Sequence, residues 1–166
     1  MAIVIALIVY FYYSSLRKKK IPRTNSLYTD ALNAMVNGDL SNAISLLKQV
    51  VKQDSNHVRA YLQLGNILRK EIPEQALKIH QSLTVRPNLD SSMLKEIHRA
   101  LALDFMEVKD FKKAEAEAGL VLKFDKKNLW ANKFLLNIYE MNENWTDAIK
   151  ICKSRCYKTN SKSSFQ

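Results

Sequence analysis

Ala60-Tyr61-Leu62-Gln63-Leu64-Gly65-Asn66-Ile67-Leu68-Arg69, followed after a short turn by Ala76-Leu77-Lys78-Ile79-His80-Gln81-Ser82-Leu83, is the stretch that decides the fold. Apolar residues recur at helical spacing on both sides of Glu71-Ile72-Pro73, and Pro suits a first helical turn. The stretch therefore predicts two amphipathic helices folded back on each other. Gly65 falls on the apolar face of the first helix, where a missing side chain lets the paired helix approach. Ala76 opens the second helix and fills the facing gap.

Working outward, the same local signature occurs four times: a turn, a hydrophobic residue, two polar residues, then Ala. The copies are Gly38-Asp39-Leu40-Ser41-Asn42-Ala43, Ile72-Pro73-Glu74-Gln75-Ala76, Lys109-Asp110-Phe111-Lys112-Lys113-Ala114 and Asn144-Trp145-Thr146-Asp147-Ala148, the second being one residue shorter. The Ala residues are spaced by 33, 38 and 34 positions. A period near 34 with this pattern is that of the tetratricopeptide repeat, a helix–turn–helix unit. Upstream residues agree: Leu27, Ala31 and Ala34 before the first signature, Leu101, Ala102 and Phe105 before the third, Leu135, Leu136 and Tyr139 before the fourth. The longer link, Arg86 to Met93, predicts a loop with a helix starting at Asp90 or Ser91. An unrelated bundle of hairpins is the competing reading, and four signatures in phase disfavour it. The fold class expected is an all-α tetratricopeptide solenoid of about four repeats over 27–157, with a polar tail at 158–166.

Composition agrees. The 166 residues are 47% hydrophobic and 25% charged, which excludes both a disordered chain and a polytopic membrane protein. Three Gly and three Pro are few enough to favour helices. The net charge is +10, and half of that excess lies in Arg17, Lys18, Lys19, Lys20 and Arg23. The remainder is too diffuse for a nucleic-acid surface.

That basic cluster follows an uncharged, strongly apolar run from Ala2 to Tyr13 that continues to Leu16. As a helix, residues 1–16 would span roughly 24 Å at about 1.5 Å per residue, against a bilayer core of about 30 Å. Flanking Lys and Arg can snorkel, and Tyr10, Tyr12 and Tyr13 suit an interface. A cleaved signal peptide would carry its charges before the run and a small-residue cleavage site after it, and neither is present. The expectation is one N-terminal transmembrane helix at 1–16, a basic juxtamembrane linker at 17–26, and, by the positive-inside rule, a repeat domain in the cytoplasm.

In its order of features and in these repeats the chain resembles the lipopolysaccharide assembly protein B family. The resemblance runs from about Tyr28 to Arg155. A generic repeat does not require Asn66, Arg69 or the His80-Gln81 pair. Asp104-Phe105-Met106 with Ala114-Glu115, and Ile138-Tyr139 with Trp145 to Ile149, resemble the family's next two repeats. The resemblance implies an adaptor of the bacterial inner membrane, single-pass, that brings the lipid A deacetylase LpxC to the FtsH protease and so regulates lipopolysaccharide biosynthesis. Its partners would be FtsH, LpxC and other lipopolysaccharide assembly proteins, with the membrane reached through the N-terminal helix and no nucleic acid. The family continues through further repeats into a rubredoxin-like metal knuckle with paired C-x-x-C motifs. This sequence holds neither, so it reads as a fragment or as a shortened relative. The alternative function is a repeat-type assembly receptor or scaffold with no role in lipopolysaccharide.

No catalytic constellation appears: there is no Ser-His-Asp set, paired-carboxylate motif or phosphate loop, and no enzyme is expected. Cys152 and Cys156 are two thiols where a structural zinc needs four ligands, and Cys152 occupies the aromatic slot of its repeat, so it reads as core. No metal or other cofactor is expected. His80 also falls on a packing position. The resemblance implies that the first helix of each repeat lines a concave groove. By count from the packing positions, Arg59, Leu62, Asn66 and Arg69 face it in the second repeat, Arg99 in the third, and Lys133 with Asn137 in the fourth. Arg and Asn there suit a peptide carboxylate or backbone. The competing reading is a plain solvated face, whose truncation leaves stability nearly unchanged.

Overall fold

The computed structural model describes residues 23–156. They form eight α-helices, with no strand among the described residues: α1 (Arg23–Val36), α2 (Leu40–Gln53), α3 (Val58–Leu68), α4 (Pro73–Thr84), α5 (Ser91–Glu107), α6 (Phe111–Phe124), α7 (Leu129–Met141) and α8 (Trp145–Cys156). The helices pair as the four expected repeats. α1 begins at Arg23, inside the stretch read as a linker. The apolar run at 1–16 lies outside the described residues, and among those described no helix is long and apolar enough to cross a membrane.

The chain divides into two compact units, one through Ala60 and one from Tyr61. In the first, α1 packs on α2, and Ala31, Ala43, Leu47 and Val50 are fully buried. The Tyr28 ring tilts against the His57 ring at 4.7 Å, and His57 Nδ1 accepts from the Ala60 backbone N–H at 3.1 Å, capping the first turn of α3. In the second unit α4 packs on α5, α5 on α6, α6 on α7 and α7 on α8.

The second helices bury residues at one spacing: Ala43, Leu47 and Val50 in α2, Ala76, His80 and Leu83 in α4, and Ala114, Ala118 and Val121 in α6. Positions i, i+4 and i+7 make a single stripe on a helix. The small Ala brings the paired helix close, and the two larger positions seal the seam. In α8 the stripe opens. Ala148 is buried but Cys152, expected in the core, is exposed. The matching Ala118 is buried in a cluster with Leu135 of the next helix, and among the described residues no such helix lies on α8.

The turns inside three repeats share one geometry. Gly38, Lys109 and Glu143 take left-handed backbone with φ of 77°, 60° and 54°. The next residue, Asp39, Asp110 or Asn144, donates its N–H to Ala34, Phe105 or Tyr139 at 2.9, 2.9 and 2.8 Å. Its side-chain oxygen then accepts from Asn42, Lys113 or Asp147 N–H at 3.1, 3.2 and 3.3 Å. One residue thus closes the first helix and caps the second. The shorter second turn has no left-handed residue, and Pro73 starts α4 without a side-chain cap. The longer link ends as expected: Asp90 accepts from Met93 N–H at 2.6 Å and α5 starts at Ser91.

Lys109 holds a conformation that costs a residue with a Cβ about 1–2 kcal/mol, against about 0.5–1 kcal/mol for the extra freedom of an unfolded glycine. Lys109→Gly should therefore raise the stability by up to about 1 kcal/mol, read as a higher urea midpoint with unchanged slope.

Candidate binding cleft between α3 and α5

Three charged or polar side chains meet where the second repeat joins the third. Asp104, on the inner face of α5, is fully buried. Its Oδ1 accepts from Arg69 Nε at 2.6 Å. Its Oδ2 lies 2.5 Å from His80 Nδ1, within hydrogen-bond distance. His80 is equally buried, and its Nε2 donates to the Leu62 carbonyl at 3.1 Å. A carbonyl oxygen only accepts, so this ring nitrogen carries the hydrogen. Arg69, with 12% of its side chain exposed, continues outward: Nη2 donates to Asn66 Oδ1 at 2.7 Å, with a longer 3.4 Å contact to the Ala100 carbonyl. Among the described residues every buried side-chain nitrogen and oxygen has a hydrogen-bond partner.

Gly65 makes this arrangement possible. A Cβ built on it would run into the His80 ring, against Nε2 and 2.6 Å from Cε1. The contact expected from the sequence at Gly65 is therefore with an imidazole, not with the aromatic ring usual at that slot.

Outward of the network lies an open cleft of about 380 Å³. Leu62, Gln63 and Asn66 of α3, with Arg69 in the turn directly after it, form one wall, and Glu96, Arg99, Ala100 and Leu103 of α5 the other. Four of the predicted groove residues, Leu62, Asn66, Arg69 and Arg99, therefore share one site. Leu62 is only 3% exposed and forms its apolar floor. Arg99 is exposed and held with its guanidinium 4.9 Å above the Trp130 ring. Lys133 and Asn137 are exposed on α7 and do not line this cleft. Arg59 is exposed in the first unit. Arg69 is tied to a buried carboxylate, unlike a residue of the plain solvated face that was the competing reading. Gln63 and Glu96 were missed, although each lies three residues from a predicted wall residue and so on the same helix face. Asp104 and His80 were missed as a pair. The signal was present in the acidic residue set within Leu101, Ala102 and Phe105.

The seam between the third and fourth repeats carries a second polar contact. Tyr139 donates its hydroxyl to Glu115 at 2.9 Å. Burial, reinforced by this bond, pushes the phenol up to about 12.

Paired helices with this turn geometry make the chain a tetratricopeptide-repeat protein, and solved structures agree. A MamA from Desulfovibrio magneticus RS-1 superposes with a TM-score of 0.72 at 16% identity, covering 85% of this chain and 78% of that one. The tetratricopeptide-like repeats of a kinesin light chain homologue from Podosopora anserina give 0.70 at 19% identity, covering 96% and 85%. No protein-family model matches the chain. Its curated relatives carry the name read from the residues: the chain is similar to lipopolysaccharide assembly protein B of Escherichia coli K12, 27% identical over 133 residues. To the Haemophilus influenzae protein of the same name it is 30% identical over 138 residues. Each match covers 76% of this chain but only 33% and 34% of the relative, so the chain spans about a third of their length. These names are those of assembly and repeat proteins, not of enzymes.

Two substitutions test the network. Gly65→Ala should gain about 1 kcal/mol of helix propensity. It should lose more, about 1–3 kcal/mol, by forcing out a ring held at both nitrogens. The expected net result is a lower thermal midpoint. Arg69→Ala strips a buried carboxylate of one partner and should cost on the order of 3 kcal/mol, whereas Arg99→Ala, losing only a surface stacking contact, should cost no more than about 1 kcal/mol. Equal urea midpoints for the last two would contradict the burial of Asp104.

Proposed function

We propose that the chain is a membrane-anchored tetratricopeptide adaptor that regulates lipopolysaccharide biosynthesis by bringing the deacetylase LpxC to the FtsH protease. The observation that carries this reading is the match to lipopolysaccharide assembly protein B across 76% of the chain. A cleft walled by polar side chains on two successive first helices supports a protein-binding role. The apolar run at 1–16 and the RKKK cluster support a single-pass anchor in the bacterial inner membrane with the repeats in the cytoplasm. Anchoring confines adaptor, protease and client to one surface and raises their effective concentration. In this role the chain performs no chemistry of its own. It positions a client for a protease.

The test is recovery of LpxC and FtsH with the tagged full chain from detergent-solubilised membranes of its host. Both should co-purify, and deletion of Met1–Leu16 should move the chain to the soluble fraction and reduce FtsH recovery severalfold. Recovery of neither partner would leave the alternative, an assembly scaffold with no role in lipopolysaccharide.

A further inference from the structure

We propose that the edge of the second unit formed by the α4–α5 and α6–α7 loops docks on an acidic phospholipid bilayer, with Val85, Phe124 and Leu129 entering the interface and Lys123, Lys126 and Lys127 lying among the headgroups. This deepens the membrane reading above and rests on it. Topology puts the two loops together. α5 and α6 are a hairpin closed by the turn at 108–110, so the start of α5 and the end of α6 share the opposite end. The His98 ring, in the first half of α5, stacks on the Phe124 ring at 5.9 Å and fixes that register. All three apolar side chains stand out of this edge: Val85 is 83% exposed, Leu129 54% and Phe124 42%.

The two ends of the unit differ in charge. At the end that carries the turns inside repeats, lysines are matched: Lys70 pairs with Glu107, Lys113 with Asp110 and Lys150 with Asp147. At the loop end Lys123, Lys126 and Lys127 are exposed, and among the described residues none of them is in an ion pair. The carboxylates there are turned into the loops. Asp125 accepts from Lys127 N–H and from the Asn128 side-chain amide, each at 3.1 Å, and Asp90 accepts from Met93 N–H.

Apolar side chains framed by lysines suit a bilayer interface: the apolar body sits at the acyl boundary and the ammonium groups reach the phosphates. Each lysine near an acidic leaflet raises partitioning about fivefold. That is weak alone, but sufficient for a domain whose own chain holds it at the surface. The apolar run at 1–16 with its RKKK cluster supplies the tether. Aliphatic Val85 and Leu129 favour lipid over a nucleic acid, which would call for bases stacked on aromatic rings.

The test uses the full chain in lipid nanodiscs of phosphatidylcholine, alone or with about 30% phosphatidylglycerol. Leu129→Cys, with Cys152→Ser and Cys156→Ser, carries the polarity-sensitive fluorophore NBD at the loop end. Thr146→Cys on the same background carries it at the turn end. NBD at position 129 should brighten by about twofold or more and shift to the blue in the acidic discs, while NBD at position 146 should not change. Lys126→Glu with Lys127→Glu should return the signal at 129 to its value in phosphatidylcholine, and high salt should weaken it. A signal at 129 that ignores phosphatidylglycerol, an equal response at both ends, or a response that survives the charge reversal would overturn the docking. So would a reversal that lowers LpxC or FtsH recovery with no lipid response, because the lysines would then meet a protein. A chain that enters discs of neither lipid sinks the anchor and the docking together. A chain that enters the discs and recovers both partners without a lipid response sinks the docking alone, and a lipid response without either partner sinks the adaptor alone.

Discussion

A single buried carboxylate organises the junction of the second and third repeats. Removing an ionised group from water costs several kcal/mol, and only close, well-directed donors offset it. Asp104 finds two donors in the preceding hairpin, Arg69 in the turn directly after α3 and His80 on α4, so one side chain ties α5 to that hairpin. The dependence runs further back. His80 reaches Asp104 only because position 65 has no side chain, and its other nitrogen is satisfied only because the Leu62 carbonyl points at it. Removing Arg69 or His80 leaves the buried carboxylate short of a donor, and that is more costly than losing the contact itself.

The fold was legible in the sequence for a specific reason. A repeat that stacks on copies of itself must place small residues where helices cross, and Ala43, Ala76, Ala114 and Ala148 mark those crossings at nearly constant spacing. The helix start at Asp90 was equally readable, since local hydrogen bonds need only local sequence. The candidate site was half legible. Counting along α3 into the turn after it, and along α5, found Leu62, Asn66, Arg69 and Arg99, because residues three and four apart share a face whatever surrounds it. Counting could not reveal that Arg69 is anchored. That depends on partners 35 residues away at Asp104, and on a histidine 24 residues before it. Cys152 was misjudged for a related reason: its slot is core only where a following helix covers it.

The polar seam is not required for packing. The slot taken by His80 is taken by Leu47 in the first repeat and Ala118 in the third, and both are fully buried. Apolar replacements of buried ion pairs are often neutral or stabilising, so stability alone does not account for the charge here. The difference lies in what emerges from the seam. Leucine or alanine at that slot ends the arrangement inside the core. His80 with Asp104 extends it through Arg69 into the cleft. A free arginine has about 2 kcal/mol of side-chain rotamer entropy to lose on binding, and a guanidinium already fixed by a buried carboxylate has lost much of it beforehand. The folding energy of the core is thus partly spent in holding a surface group in place. On this argument the second and third repeats differ from a generic stack by one buried charge, whose consequence is felt at the cleft rather than in the core.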